Sequence, residues 1–109
     1  MGVVNMYRFN GNRYLTKGIQ NEIPLELQII LWFMIDDNIK KSLKMDYLQI
    51  FELSPYYKND KIYQKIIHHQ EVPKRKSEKI LNIFEKPITA KIYVIDDSSH
   101  CTMLFNHEY

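Results

Sequence analysis

The chain has 109 residues, 45% hydrophobic and 26% charged, with a formal net charge of +2. That length suits one domain, residues 1–109, around one core, and the composition is globular rather than disordered. The near-neutral charge excludes nucleic-acid binding through bulk charge and leaves only a local patch for it.

The single cysteine, Cys101, excludes an intrachain disulfide. Met1 to Arg8 lacks the charged and apolar regions of a signal peptide. The longest apolar run, Ile29 to Ile35, is far short of the roughly 20 residues that span a bilayer. The expectation is therefore a cytoplasmic protein with no membrane contact. Ile, Lys, Asn and Tyr are abundant, as AT-rich codons would make them, which points to a low-GC bacterium or one of its mobile elements.

In chain order, Asn10-Gly11-Asn12 signals a turn after an irregular edge over Met1 to Asn12. Arg13 to Ile19 has the aromatic and β-branched content of a strand, broken by Gly18. A long helix is predicted from Pro24 to about Leu43. Proline suits its first turn, Glu22 and Glu26 suit its positive end, and Lys40, Lys41 and Lys44 suit the other. Leu27, Ile30, Leu31, Met34, Ile35 and Ile39 recur at helical spacing, and Ile29, Trp32 and Phe33 widen the apolar face beyond one stripe. Such a face needs either a sheet that curls around it or a second chain, and the curl is the preferred reading.

The period then changes to two. Tyr47 to Leu53 reads as a strand ended by Ser54-Pro55, with a polar loop to Asp60. Ile62 to Val72 reads as a long strand with Ile62, Ile66 and Val72 on one face and Tyr63 and Ile67 on the other, closed by Pro73. Lys79 to Glu85 and Ala90 to Ile95 follow, separated by Lys86-Pro87. Asp96-Asp97-Ser98-Ser99 then turns into a last strand, His100 to Asn106. The expected fold is α+β: one long apolar helix packed on a curved antiparallel sheet of about five to six strands.

Asp96, Asp97 and His100 are the tightest set of metal-ligand types, yet aspartate and serine favour turns for local reasons, and the turn is the preferred reading. His68 and His69 point to opposite faces of a strand and cannot act as a pair. Cys101 lies in a strand rather than at a helix start that would lower its pKa. Asp36-Asp37 diverge by about 100° on the helix and read as a solvated face. No catalytic residue, metal ligand or cofactor is assigned. The basic run Pro73-Lys74-Arg75-Lys76, with Lys79 nearby and Glu71 and Glu78 flanking, reads first as a solvated loop and second as a nucleic-acid contact. The eight tyrosines, among them Tyr56-Tyr57, Tyr63, Tyr93 and Tyr109, exceed what so small a core buries and favour a binding surface.

The runs RYLTKGI, IPLELQIILWFMID, DYLQIFEL, HHQEVP, KIYVIDD and TMLFNHEY, spread from Arg13 to Glu108, resemble the domain of unknown function 960 family of low-GC Gram-positive bacteria and their mobile elements. The resemblance implies a small α+β roll and no activity. The polar positions that match its pattern are Glu26, Asp36, Gln70, Glu71, Asp96 and Glu108.

Two function classes stay open. The first is a non-enzymatic binding protein that occludes a larger partner; its sharpest version inhibits a bacterial defence nuclease, anti-CRISPR fashion, by blocking the nuclease or its guide RNA loading. The partner is then a protein, a nuclease or nuclease–RNA complex, contacted through Lys74, Arg75, Lys76, Tyr56, Tyr57, Gln70 and Glu71, with direct nucleic-acid contact through the basic loop as a variant. The second is a small metal-dependent hydrolase or nuclease built on Asp96, Asp97 and His100. A homodimer through surplus apolar helix surface is a third, weaker reading.

Overall fold

The computed structural model describes residues 7–83 and 86–109. After strand β1 (Asn12–Leu15) come helix α1 (Lys17–Glu22), helix α2 (Leu25–Lys40), and strands β2 (Leu48–Lys58), β3 (Lys61–Gln70), β4 (Arg75–Leu81), β5 (Ala90–Asp96) and β6 (His100–Phe105). A single 3-10 turn, Asn106–Glu108, ends the described chain. The strands form one sheet in the order β1-β6-β5-β2-β3-β4.

The long helix begins where its signals put it, with Pro24 at the N-cap, and ends at Lys40 rather than near Leu43. Leu27, Leu31, Met34 and Ile35 of α2 meet Phe51, Leu53, Ile66, Ile92, Val94 and Met103 of the sheet in one buried cluster. Each side chain of this size contributes about 1.5–3 kcal/mol on full burial, which is why α2 lies on the sheet rather than in solvent. The cover is incomplete. Leu25, Ile29 and Phe33 stay 66%, 57% and 58% exposed. Trp32 is half-buried, with the Arg13 guanidinium 4.6 Å above its ring.

The predicted strand Arg13 to Ile19 is two elements. β1 ends at Leu15, and Thr16 caps α1 by accepting the Ile19 N–H on Oγ1 at 3.2 Å. The sheet is mixed rather than antiparallel: β1 pairs with β6 in parallel, and the other pairs are antiparallel. Ser54-Pro55 does not end β2. Pairing with β5 stops at Leu53, so Pro55 sits on a free edge where a missing N–H is tolerated. The β2–β3 hairpin turns on Asn59 and Asp60, both at positive φ (50° and 62°), as a two-residue hairpin loop requires.

β3 ends at Gln70, and Val72 is 66% exposed instead of sharing a buried face with Ile66. The inward face of β3 is Gln64, Ile66, His68 and Gln70, all buried. Polar residues on that face hid its alternation. β4 begins at Arg75, not Lys79, so Arg75 and Lys76 belong to an edge strand rather than a loop. Of the predicted strand Lys79 to Glu85 and the edge Met1 to Asn12, residues 84–85 and 1–6 lie outside the described residues. No described helix is long and apolar enough to cross a membrane.

Candidate functional site

The polar positions of the family pattern do not converge. Asp96 accepts the Phe9 N–H on Oδ2 at 2.9 Å and the Ser98 N–H on Oδ1 at 2.8 Å, holding a phenylalanine whose φ is 51°. Asp36 is paired with Arg13, which also donates to Phe9 O at 3.1 Å. Glu108 accepts the Thr16 hydroxyl and the Phe105 N–H on Oε1, each at 2.8 Å, tying the C-terminal turn to the cap of α1. Glu26 and Glu71 are exposed. Asp96 thus pins backbone to backbone, and Gln70 does the same below.

The Asp96-Asp97-His100 group is a turn with its acceptors occupied. Asp97 Oδ1 accepts from the Ser99 N–H, the Ser99 hydroxyl and the His100 N–H at 2.8–2.9 Å. Those donors, the His100 N–H first, hold the Asp97 carboxyl below its usual range. Among the described residues no group of three or more His, Cys, Asp or Glu side chains stands ready for a metal ion. Burial raises the Cys101 thiol, which makes it a poor nucleophile.

The residues singled out for binding divide into two places. Tyr56 and Tyr57 lie at the far end of the β2–β3 hairpin, beyond the reach of β5 and β4. There the two strands pair only with each other and form an arm. Tyr57 and Ile62 sit directly opposite and are 71% and 49% exposed, while Tyr56 packs on Tyr63 with ring centroids 6.4 Å apart. Lys58 and Lys61 flank the tip. Gln64 anchors the base of the arm: its amide donates to Ser54 O at 3.1 Å and Ile88 O at 3.0 Å, and accepts from the Ile88 N–H at 2.8 Å.

Gln70 and the basic run lie at the other end of β3, roughly 26 Å from Ile62 at about 3.3 Å per residue. Here a buried polar network replaces the expected contact surface. Gln70 Nε2 donates to Lys44 O at 3.1 Å and Pro73 O at 2.7 Å. Its Oε1 accepts the Asp46 N–H at 3.1 Å, Gln49 Nε2 at 2.9 Å and Arg75 Nη2 at 3.0 Å. Arg75 Nη1 also donates to Lys44 O at 2.9 Å. Gln70 and Arg75 therefore clamp the loop after α2, and only Lys74, Lys76 and Glu71 of that group face solvent.

His68 continues the network inward. It is 4% exposed, its ring stacks on Phe51 with centroids 4.2 Å apart, and Nε2 lies 2.7 Å from Gln49 Oε1. Burial first, then the charge of Arg75, lowers its pKa to about 4, so the ring is neutral at neutral pH. His69 faces the other way, on Glu52 at 2.8 Å. The opposite orientation of the two histidines is as their adjacency on a strand predicts.

His68 floors a groove between α2 and β4. Two adjoining hollows of about 190 and 210 Å³ share Asn38, Lys41, His68 and Ser77. Phe33 and Met34 line one end, and Arg75 and Lys76 the other. Phe33, Asn38, Lys41 and Ser77 carried no site signal of their own. Gln49 did carry a hint, because a glutamine in phase with Phe51 and Leu53 on an inward face needs a partner.

A solved structure described as a protein of unknown function from Enterococcus faecalis superposes with a TM-score of 0.76 at 25% identity, over 94% of this chain and 95% of that one. No curated protein matches the chain. The model of the family described as Staphylococcal protein of unknown function (DUF960) matches residues 12–108, and the chain belongs to that family.

Proposed function

We propose that the chain is a non-enzymatic binding protein that acts by occluding a protein partner, with the β2–β3 arm as the part that enters it. The observation that carries this reading is the exposed Tyr57–Ile62 pair on a two-stranded arm, with Lys58 and Lys61 at its tip. An isolated hairpin is only marginally stable, so apolar side chains held there cost the fold without serving its core. Tyrosine gives large contact area for little lost entropy. The flanking lysines favour a partner slot with an acidic rim, and Pro55 keeps the free edge of the arm from adding strands.

In its narrower form the partner is a bacterial defence nuclease. The test is binding and cleavage by purified RNA-guided nucleases, with and without guide RNA, using the native chain and Tyr57→Ala/Ile62→Ala. Inhibition that disappears in the double variant supports the reading. Absence of binding with undiminished cleavage for every nuclease sinks the narrower form. Inhibition that survives in the double variant removes the arm from it.

A hydrolase on Asp96, Asp97 and His100 has against it the internal donors that already occupy the Asp96 and Asp97 oxygens. Replacement of all three side chains, with an intact fold, separates the two readings. Self-association is favoured by one observation, the exposed stripe Leu25, Ile29 and Phe33 at four-residue spacing. Light scattering of Phe33→Ser beside the native chain decides it.

A further inference from the structure

The hydrogen bonds at the groove floor fix which nitrogen of the His68 ring carries the proton. Lys44 O and Pro73 O are obligate acceptors, so the Gln70 atom facing both is its amide nitrogen. Gln70 Oε1 is then an acceptor, and the Gln49 atom 2.9 Å from it and from Asp46 O is the amide nitrogen of Gln49. Gln49 Oε1 consequently faces His68, and the His68 nitrogen 2.7 Å away carries the proton. Burial keeps the ring neutral, so Nδ1 keeps its lone pair. Among the described residues it has no hydrogen-bond donor, and no buried side-chain nitrogen or oxygen there goes unpartnered, so Nδ1 opens onto the groove that His68 lines.

The rest of the groove supplies complementary chemistry. Ser77 stands opposite His68 across the β3–β4 ladder, and Asn38 adds an amide from α2. Phe33, 58% exposed, offers a flat ring at one end. Lys79 lines the same end and is in no ion pair among the described residues, whereas Asp37 is neutralised by Lys41 at 2.8 Å and Glu78 by Lys65 at 3.1 Å. Arg75 keeps the other end positive. Flat ring, fixed acceptor, amide and unpaired cation lie along one channel.

We propose that the groove between α2 and β4 is a binding site for a small anionic ligand that also carries a planar N–H donor, a nucleoside monophosphate being the simplest molecule of that class. The ring lies against Phe33 and donates to His68 Nδ1, and the phosphate lies at Lys79. The site is independent of the arm.

The test titrates the full chain with AMP, adenosine, ribose 5-phosphate and inorganic phosphate, followed by amide and imidazole 15N NMR. Expected are saturable shifts at Asn38, His68, Ser77 and Lys79 with AMP, weaker binding by tenfold or more for each of the other three probes, and a shift of His68 Nδ1 with AMP. Lys79→Glu, its fold checked by the dispersion of its amide spectrum, should weaken AMP at least tenfold. His68→Phe retains the stack on Phe51 and should level AMP with ribose 5-phosphate. Equal binding of inorganic phosphate and AMP would overturn the proposal in favour of a general anion patch. Saturable shifts from an octaglutamate peptide but not AMP would overturn it in favour of an acidic protein segment, and so would the absence of any saturable shift in the groove.

Discussion

His68 Nε2 lies 2.7 Å from Gln49 Oε1, and Gln49 in turn donates to Gln70 Oε1 at 2.9 Å. Burial holds the histidine neutral, and two amides anchored on backbone carbonyls fix its tautomer. Stability and local chemistry both follow from that relay.

The first consequence is a pH dependence. His68 has a folded pKa of about 4, against about 6.5 when unfolded. The unfolded chain therefore binds more protons between these values, and stability is full above pH 6.5 and declines as pH falls toward 4. The loss is on the order of 3 kcal/mol, at about 1.4 kcal/mol per unit. Urea unfolding at pH 7, 5.5 and 4 measures it, with His68→Phe as the comparison. If the native chain and the variant lose stability in parallel, His68 is not the titrating group.

Gln70→Ala should be among the more destabilising single changes. It strips partners from Lys44 O, Pro73 O, the Asp46 N–H and Gln49 together. Leaving buried polar groups unpaired costs about 1–3 kcal/mol each, with partial relief from water near the loop. A loss of roughly 3 kcal/mol is expected by chemical denaturation. Lys74→Ala, on an exposed residue two positions past Val72, should stay within about 0.5 kcal/mol of the native value.

Asp96 provides a graded test of the turn reading. Asp96→Ala removes the acceptors of Phe9 and Ser98 and should cost about 2 kcal/mol, while Asp96→Asn keeps one acceptor oxygen and should cost about 1 kcal/mol. Loss of a bound metal in either variant, with stability unchanged, would contradict the structural role.

Gly11 is packed where no side chain fits. A Cβ there would stand 2.8 Å from Ser99 O and 3.1 Å from His100 Cα, both backbone. Gly11→Ala must push β1 away from the β5–β6 turn and should cost about 1–3 kcal/mol, read as a lowered Tm. An unchanged Tm would mean that β1 and the turn separate freely.

The helix α2 was legible because its signals are local: Pro24 and Glu26 at the start, lysines at the end, and apolar side chains three and four residues apart between them. The β5–β6 hairpin was legible for the same reason, through Asp96 to Ser99. Helix α1 was not, because six residues beginning Lys17-Gly18 carry too little periodicity to outweigh the strand-like Arg13 to Thr16 before them. The start of β4 was lost to its composition. An edge strand tolerates Arg75 and Lys76 and looks like a solvated loop. The basic run and the tyrosines were visible as candidates, yet nothing local shows that Arg75 turns inward to Gln70 while Tyr57 stands on an arm.

Determined by the sequence alone, then, are the features that depend on neighbours within a few residues: the long helix, the β5–β6 turn, the strand period and the opposite facing of His68 and His69. Only the tertiary structure decided that β1 pairs in parallel with β6, that Asp96 holds Phe9 across 87 residues of chain, and that Gln49 and Gln70 meet across 21. The physical reason is that a buried polar side chain takes whichever partner the packing brings to it, and distance along the chain places no limit on that choice.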